Sequence, residues 1–172
     1  EQQLEDLSLR EQDEVLDEFQ QVVGTIVLLE TPLSVSALAQ LIGISEEVIY
    51  GRLDVLHSVL NFPSTSKSPM RLLHLSFRDF LLDPEKRGTN RFWVDERQTH
   101  GRIAAGCLRV MDTCLEEDIC NLKIPGIERS KVSPVRVASC ISMELQYACR
   151  YWAYHIQRSE NYPGNAEEIL SF

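Results

Sequence analysis

An imidazole, a hydroxyl, a guanidinium and a carboxylate fall within six residues, at His74, Ser76, Arg78 and Asp79. The run Arg71-Leu-Leu-His-Leu-Ser-Phe-Arg-Asp-Phe-Leu-Leu-Asp83 reads as a short strand ending at His74, then a capped amphipathic helix starting at Ser76. Ser76 and Asp79 form an S-x-x-D pair. The hydroxyl can accept from first-turn N–H groups, and the carboxylate sits at the positive end of the helix dipole. One imidazole is thereby delivered beside a helix N-terminus, where open N–H groups attract anions such as phosphate. His74 is the candidate phosphate contact, with Ser76 and Arg78 as secondary candidates. The structural alternative is a strand-end histidine packed under the next helix, with Arg78 facing solvent.

No other constellation in the chain has the spacing of an active site. G-x-x-x-x-G-K-[ST], G-x-G-x-x-G and G-x-S-x-G are all absent, and the eight glycines are scattered singly. The histidines His57, His74, His100 and His155 lack metal-ligand spacing. His57 reads as a surface residue at a helix end, and His100 and His155 as packed or solvated helix residues. Glu116-Glu117-Asp118 resembles a solvated helix start more than an acid/base pair. The five cysteines, Cys107, Cys114, Cys120, Cys140 and Cys149, are irregularly spaced without a C-x-x-C pair, so a zinc site or disulfide framework is not expected. The expectation is a non-enzymatic chain without a metal or a cofactor of its own.

The elements that position His74 are helical. Residues 1–13 are polar and acidic and read as a frayed or linking segment. From Glu14, the apolar positions Leu16, Phe19, Val22, Val23, Ile26 and Leu29 recur at three and four residues, one buried helix face that stops at Thr31-Pro32. Ser34, Ser45 and Ser76 are each preceded by an apolar residue and followed by another at the position a hydrophobic staple requires: Leu33 and Leu38, Ile44 and Ile49, Leu75 and Phe80. Helices over Val35–Leu41 and Glu46–Leu56, joined at Gly43, form a helix-turn-helix. Val59–Phe62 and Met70–Leu73 flank the Pro63–Pro69 loop as a β-hairpin wing. The fold class is therefore mainly α: a winged-helix domain over 14–83, a connector over 84–94, and a small helical domain over 95–172. In that last unit Arg97–Met111, Leu115–Leu122 and Met143–Arg158 read as helices and 123–135 as loop. The apolar face of Met143–Arg158 comprises Leu145, Ala148, Cys149, Trp152 and Ile156. The chain opens on Glu1 and its tail from Glu160 reads as the start of a further element, so it looks like an excerpt from a longer protein.

Charge narrows the partners. The net charge is −9, and a chain with 44% hydrophobic residues can bury roughly two-thirds of its unfolded surface. The second helix of the helix-turn-helix, which would enter a DNA major groove, carries Glu46, Glu47 and Asp54 against Arg52. Carboxylates there repel phosphate instead of neutralising it, so no nucleic-acid partner is expected. No apolar run approaches the roughly 20 residues of a membrane span, and the expected location is cytoplasmic.

Seven segments together resemble fungal NACHT proteins of the STAND NTPase class. They are Val23-Gly-Thr-Ile-Val-Leu-Leu, Pro32-Leu-Ser-Val-Ser-Ala-Leu, Leu41-Ile-Gly-Ile-Ser, Leu73-His-Leu-Ser-Phe-Arg-Asp-Phe-Leu, Phe92-Trp-Val-Asp, Asp118-Ile-Cys-Asn-Leu and Gln146-Tyr-Ala-Cys-Arg-Tyr-Trp. The resemblance covers nearly all of the chain from about residue 20. It implies the winged-helix and helical linker region that follows the ATPase core and precedes a repeat sensor, often of WD repeats. A histidine in the context of His74 then touches the phosphates of bound ADP. Residue 75 is leucine where the plant-type motif has aspartate, so acidic support for the imidazole must come from elsewhere, with Asp79 as the candidate. ADP or ATP with Mg would belong to the parent protein, a signalling switch in non-self recognition or programmed cell death that oligomerises on activation. The partners implied are the intramolecular NACHT core and the C-terminal repeats. A helical interaction or scaffold module is the alternative, and a winged-helix DNA-binding protein a third reading.

Overall fold

The computed structural model describes residues 9–56, 60–61, 68–72 and 74–159. Among these the chain is mainly helical, with seven α-helices and one two-residue antiparallel strand pair. His57, the Pro63–Lys67 stretch of the expected wing and the tail from Glu160 lie outside the described residues.

Helix α1 (Leu9–Leu28) begins five residues before the apolar periodicity does. Val22, Val23, Val27 and Leu28 bury its core face. Gly24 is required on that helix because a β-carbon there would sit 2.8 Å from Val94 Cγ1. Two short helices follow, α2 (Val35–Ile42) and α3 (Glu46–Leu53). Their serine caps form as the sequence suggests: Ser34 accepts from Ala37 N–H at 3.2 Å and Ser45 from Val48 N–H at 3.3 Å. Gly43 closes α2 with φ +71°, its N–H donating to the Ala39 carbonyl at 2.9 Å.

Strands β1 (Leu60–Asn61) and β2 (Arg71–Leu72) pair Leu60 with Leu72 and Asn61 with Arg71. An isolated bridge joins Ser34 to Pro69, with Met70 N–H donating to the Leu33 carbonyl at 2.9 Å. The segment leading into β2 is thus fastened to the start of α2 as well as to β1.

Helix α4 (Leu75–Leu82) starts before Ser76, which corrects the cap assignment. His74 holds the N-cap position and its carbonyl accepts from Phe77 N–H at 3.2 Å, so Ser76 lies inside the first turn. The third staple is likewise not formed, because Leu75 is 76% exposed and Phe80 41% exposed. Phe80 instead lies under the Lys86 ammonium, 4.9 Å from the ring centroid, and Leu81 alone is fully buried on this helix.

From Asp83 to Asp95 the chain is tied to both sides. Val94 N–H donates to the Leu81 carbonyl at 2.9 Å, Asn90 Nδ2 to the Phe80 carbonyl at 3.3 Å, and Gln20 Nε2 to the Arg91 carbonyl at 3.0 Å. Phe92 meets Phe19 edge-on at 5.1 Å between centroids.

Helices α5 (Glu96–Cys114) and α7 (Met143–Arg158) make the most extensive interhelical contact, and α5 also packs on α1 and α2. Ile103 and Cys107 of α5 share one core cluster with Leu145 and Ala148 of α7 and Val22, Leu38 and Leu41 of α1 and α2. Gly106 marks the closest crossing: a β-carbon there would collide with the Leu41 carbonyl oxygen. Three residues on, Arg109 caps the end of α2, donating from Nη2 to the carbonyls of Gln40 and Leu41 at 3.2 and 2.9 Å. The boundaries of α7 are those read from the sequence, but Cys149 is exposed and Trp152 half-buried, while Tyr147 and His155 are buried.

The expected Leu115–Leu122 helix is absent. Asp118, Asn121 and Lys123 take positive φ values, and the Asp118 carboxylate accepts from Leu122 N–H at 2.7 Å and Lys123 N–H at 2.9 Å. A side chain that bonds the backbone this way competes with the helix ladder. Helix α6 (Pro134–Cys140) begins inside the stretch read as loop. Its Arg136 holds the turn by donating to the Cys120 carbonyl at 2.7 and 2.9 Å and to the Asn121 carbonyl at 2.9 Å.

Candidate functional site

His74 stands where β2 gives way to α4, with extended backbone angles (φ −129°, ψ 121°) and no side-chain cap bond. Its side chain is exposed, not packed beneath the helix. Ser76 and Arg78 are also exposed. Among the described residues no hydrogen bond joins Asp79 to His74, so the carboxylate proposed to support the imidazole does not do so here. The imidazole is free to meet a group arriving at the N-terminal end of α4.

Beside it runs an open groove of about 530 Å³, in the size range of small-molecule clefts. Ile26, Leu29 and Glu30 from the end of α1, Leu33, Met70, and Leu75 and Arg78 of α4 contribute to its walls. The structure therefore brings Arg78 and the neighbour of His74 to one groove, whereas Ser76 is not among its lining residues. Glu30 supplies the opposite charge. Its carboxylate acts on the Tyr154 hydroxyl and holds that phenol above its ordinary value. Arg158 lies over the Tyr154 ring, 3.8 Å from the centroid.

No family model, curated protein or solved structure matches this chain. The chemistry of the site therefore rests on its own geometry. No helix among the described residues is long and apolar enough to cross a membrane. Among them, too, no group of three or more His, Cys, Asp or Glu side chains is placed to hold a metal ion.

Glu30 also connects the groove to a polar chain that sequence reasoning does not pair. His100 of α5 and His155 of α7, 55 residues apart, face each other Nδ1 to Nδ1 at 2.7 Å. His155 Nε2 lies 2.7 Å from the Tyr147 hydroxyl, which accepts from Glu30 N–H at 3.3 Å. His100 Nε2 faces the Glu96 carboxylate at 3.7 Å. One proton assignment satisfies the whole chain. Glu30 N–H donates to Tyr147, Tyr147 O–H donates to His155 Nε2, and His155 Nδ1–H donates to His100 Nδ1. His100 Nε2–H is left facing Glu96. Both imidazoles are neutral in this arrangement. Burial pushes His155 down to about 3, helped by His100 and Arg158, and burial likewise lowers His100 against the opposing pull of Glu96. Burial raises the Tyr147 phenol. The only signal available in the sequence is that both histidines fall on the apolar faces of long helices; nothing there says that those faces meet.

Proposed function

We propose that this chain is the regulatory, non-catalytic part of a STAND/NACHT NTPase switch of the fungal NLR-like kind. Residues 14–83 form the winged helix, 84–94 the connector and 95–172 the helical linker. The observation that carries this reading is His74: an exposed imidazole at the N-terminal end of α4, with no cap bond to occupy it. A group so placed fits a phosphate, because the open N–H groups of a helix N-terminus attract an anion and a neighbouring imidazole can donate to it. His74 would tie the winged helix to the phosphate end of ADP held by the core, with Arg78 on the following turn. Exchange of ADP for ATP would weaken that tie and shift the population toward an open, oligomerising state.

Two further observations support the winged-helix reading. The β1–β2 pair and the Ser34–Pro69 bridge together place a small strand cluster against the start of α2, where a wing would be anchored. Arg52, the cation of α3, is held by the Glu18 carboxylate at 2.6 Å, which favours packing inside a protein over contact with DNA. Leu75, largely exposed at the groove, favours the second reading, a helical interaction module with no nucleotide role.

The decisive measurement is the ADP off-rate of the full-length protein that carries this chain, with and without His74→Ala. Losing one hydrogen bond to phosphate is worth about 1–3 kcal/mol, so the off-rate should rise about 10- to 100-fold with the fold intact. An unchanged off-rate overturns the nucleotide reading and selects the interaction module.

A further inference from the structure

We propose that the His100–His155–Tyr147 chain is an acid-operated latch that holds α7 against α5 and against the backbone at Glu30, just after α1. Its three links, Nδ1 to Nδ1 at 2.7 Å, Nε2 to hydroxyl at 2.7 Å and hydroxyl to Glu30 N–H at 3.3 Å, join three separate parts of the fold. Each link depends on the next, because every donor has one acceptor and every acceptor is used.

Adding protons disables the chain in two steps. With one added proton the chain can reverse: His100 becomes the cation beside Glu96, His100 Nδ1–H donates to His155 Nδ1, and His155 Nε2–H donates to the Tyr147 oxygen. That oxygen then accepts from both His155 and Glu30 N–H, and its own O–H loses its acceptor in a buried position. A second proton leaves two N–H groups facing each other at the Nδ1 contact, and the link breaks. Burial is what makes this costly, since His155 is fully buried and His100 nearly so.

The charged groups around the pair come from every packed element. Glu96 on α5 and Glu30 after α1 favour the cation at His100, while Arg158 on α7 opposes it. Tyr147, Tyr151 and Tyr154 are the phenols on α7, Cys107 on α5 and Tyr151 act on Tyr147, and Arg78 on α4 acts on Tyr154. Opening releases α7 from Glu30, one of the residues that line the groove. The inference does not depend on nucleotide binding, because the latch contains neither His74 nor the N-terminus of α4.

The test is hydrogen exchange of the full chain from pH 7.5 to 5.0, corrected for intrinsic chemical rates. One proton coupled to opening changes the equilibrium about tenfold per pH unit below the free imidazole value of about 6.5. The amides at the end of α7 should therefore lose about 30-fold protection by pH 5.0, while those of α2 do not. His155→Gln, which keeps a side-chain acceptor but cannot titrate, should flatten the profile. Nitrogen chemical shifts of the native histidines give a second readout that needs no variant, with His155 protonated at Nδ1 and bare at Nε2 at neutral pH. Protection of α7 that is independent of pH, or a His155 that is protonated at Nε2 and titrates normally, overturns the latch.

Discussion

Gly106→Ala probes how closely α2 and α5 approach. The added methyl group points into the Leu41 carbonyl oxygen, a backbone atom that cannot swing aside as a side chain would. The helices must separate. Separation also stretches the bonds from Arg109 to the Gln40 and Leu41 carbonyls, now 3.2 and 2.9 Å. Overpacking a closed contact costs about 1–3 kcal/mol, and weakening hydrogen bonds from a charged donor adds about 1–2 kcal/mol. Helix propensity acts in the other direction, since alanine is favoured over glycine by about 1 kcal/mol in a helix interior. The net loss centres on about 2.5 kcal/mol, equivalent to a Tm lower by about 5–10 °C for a chain of this length. Gly101, five residues earlier on the same helix, is the control. A β-carbon there would meet Ser159 Cβ at 3.5 Å, an ordinary contact. Thermal unfolding should therefore show Gly101→Ala raised by a few degrees and Gly106→Ala lowered. A rise in both would refute the close crossing and leave propensity as the whole effect.

Stability should also depend on pH in a set direction. His155 sits near 3 in the folded state against an ordinary value of 6.5, so folding excludes its proton. The corresponding stability is complete above pH 6.5 and is lost as pH falls, by about 2 kcal/mol at pH 5. Urea titrations at pH 7 and pH 5 measure it, and equal midpoints would count against a neutral, buried His155. Arg136→Ala removes the three bonds that hold the Cys120 and Asn121 carbonyls. It should cost about 1–2 kcal/mol and speed proteolysis between residues 115 and 127; an unaltered digestion pattern would mean that Asp118 holds the turn unaided.

The sequence was most legible where one residue decides a local structure. Ser34 and Ser45 sit at their caps, Gly43 takes the left-handed conformation, and α7 runs over the predicted residues, because hydroxyl, missing β-carbon and apolar period act within one turn. The Ser76 cap failed on the same logic: His74 already occupies the N-cap, and Leu75 has no core to staple to. Glu116-Glu117-Asp118 looks like a helix start, yet Asp118 spends its carboxylate on the backbone ahead of it. For α6, Ser133 before Pro134 was a readable start signal, outweighed by the loop-like composition around it. At the candidate site, the exposed His74 and Arg78 came from adjacent residues and a helix end. The His100–His155 pair could not, since only tertiary packing brings positions 55 residues apart into contact.

The segment between α4 and α5 has a topological consequence. It is stitched to α1 and α4 through Arg91, Phe92, Asn90 and Val94, while its turn at Gly88 projects with open space around it. Covalent continuity at that tip adds little to what the stitches already provide. A chain severed beside Gly88 would yield two pieces that remain clasped, each holding part of a core that neither can complete alone. The same tip can accept an inserted sequence, or serve as new chain ends, without disturbing the helices on either side.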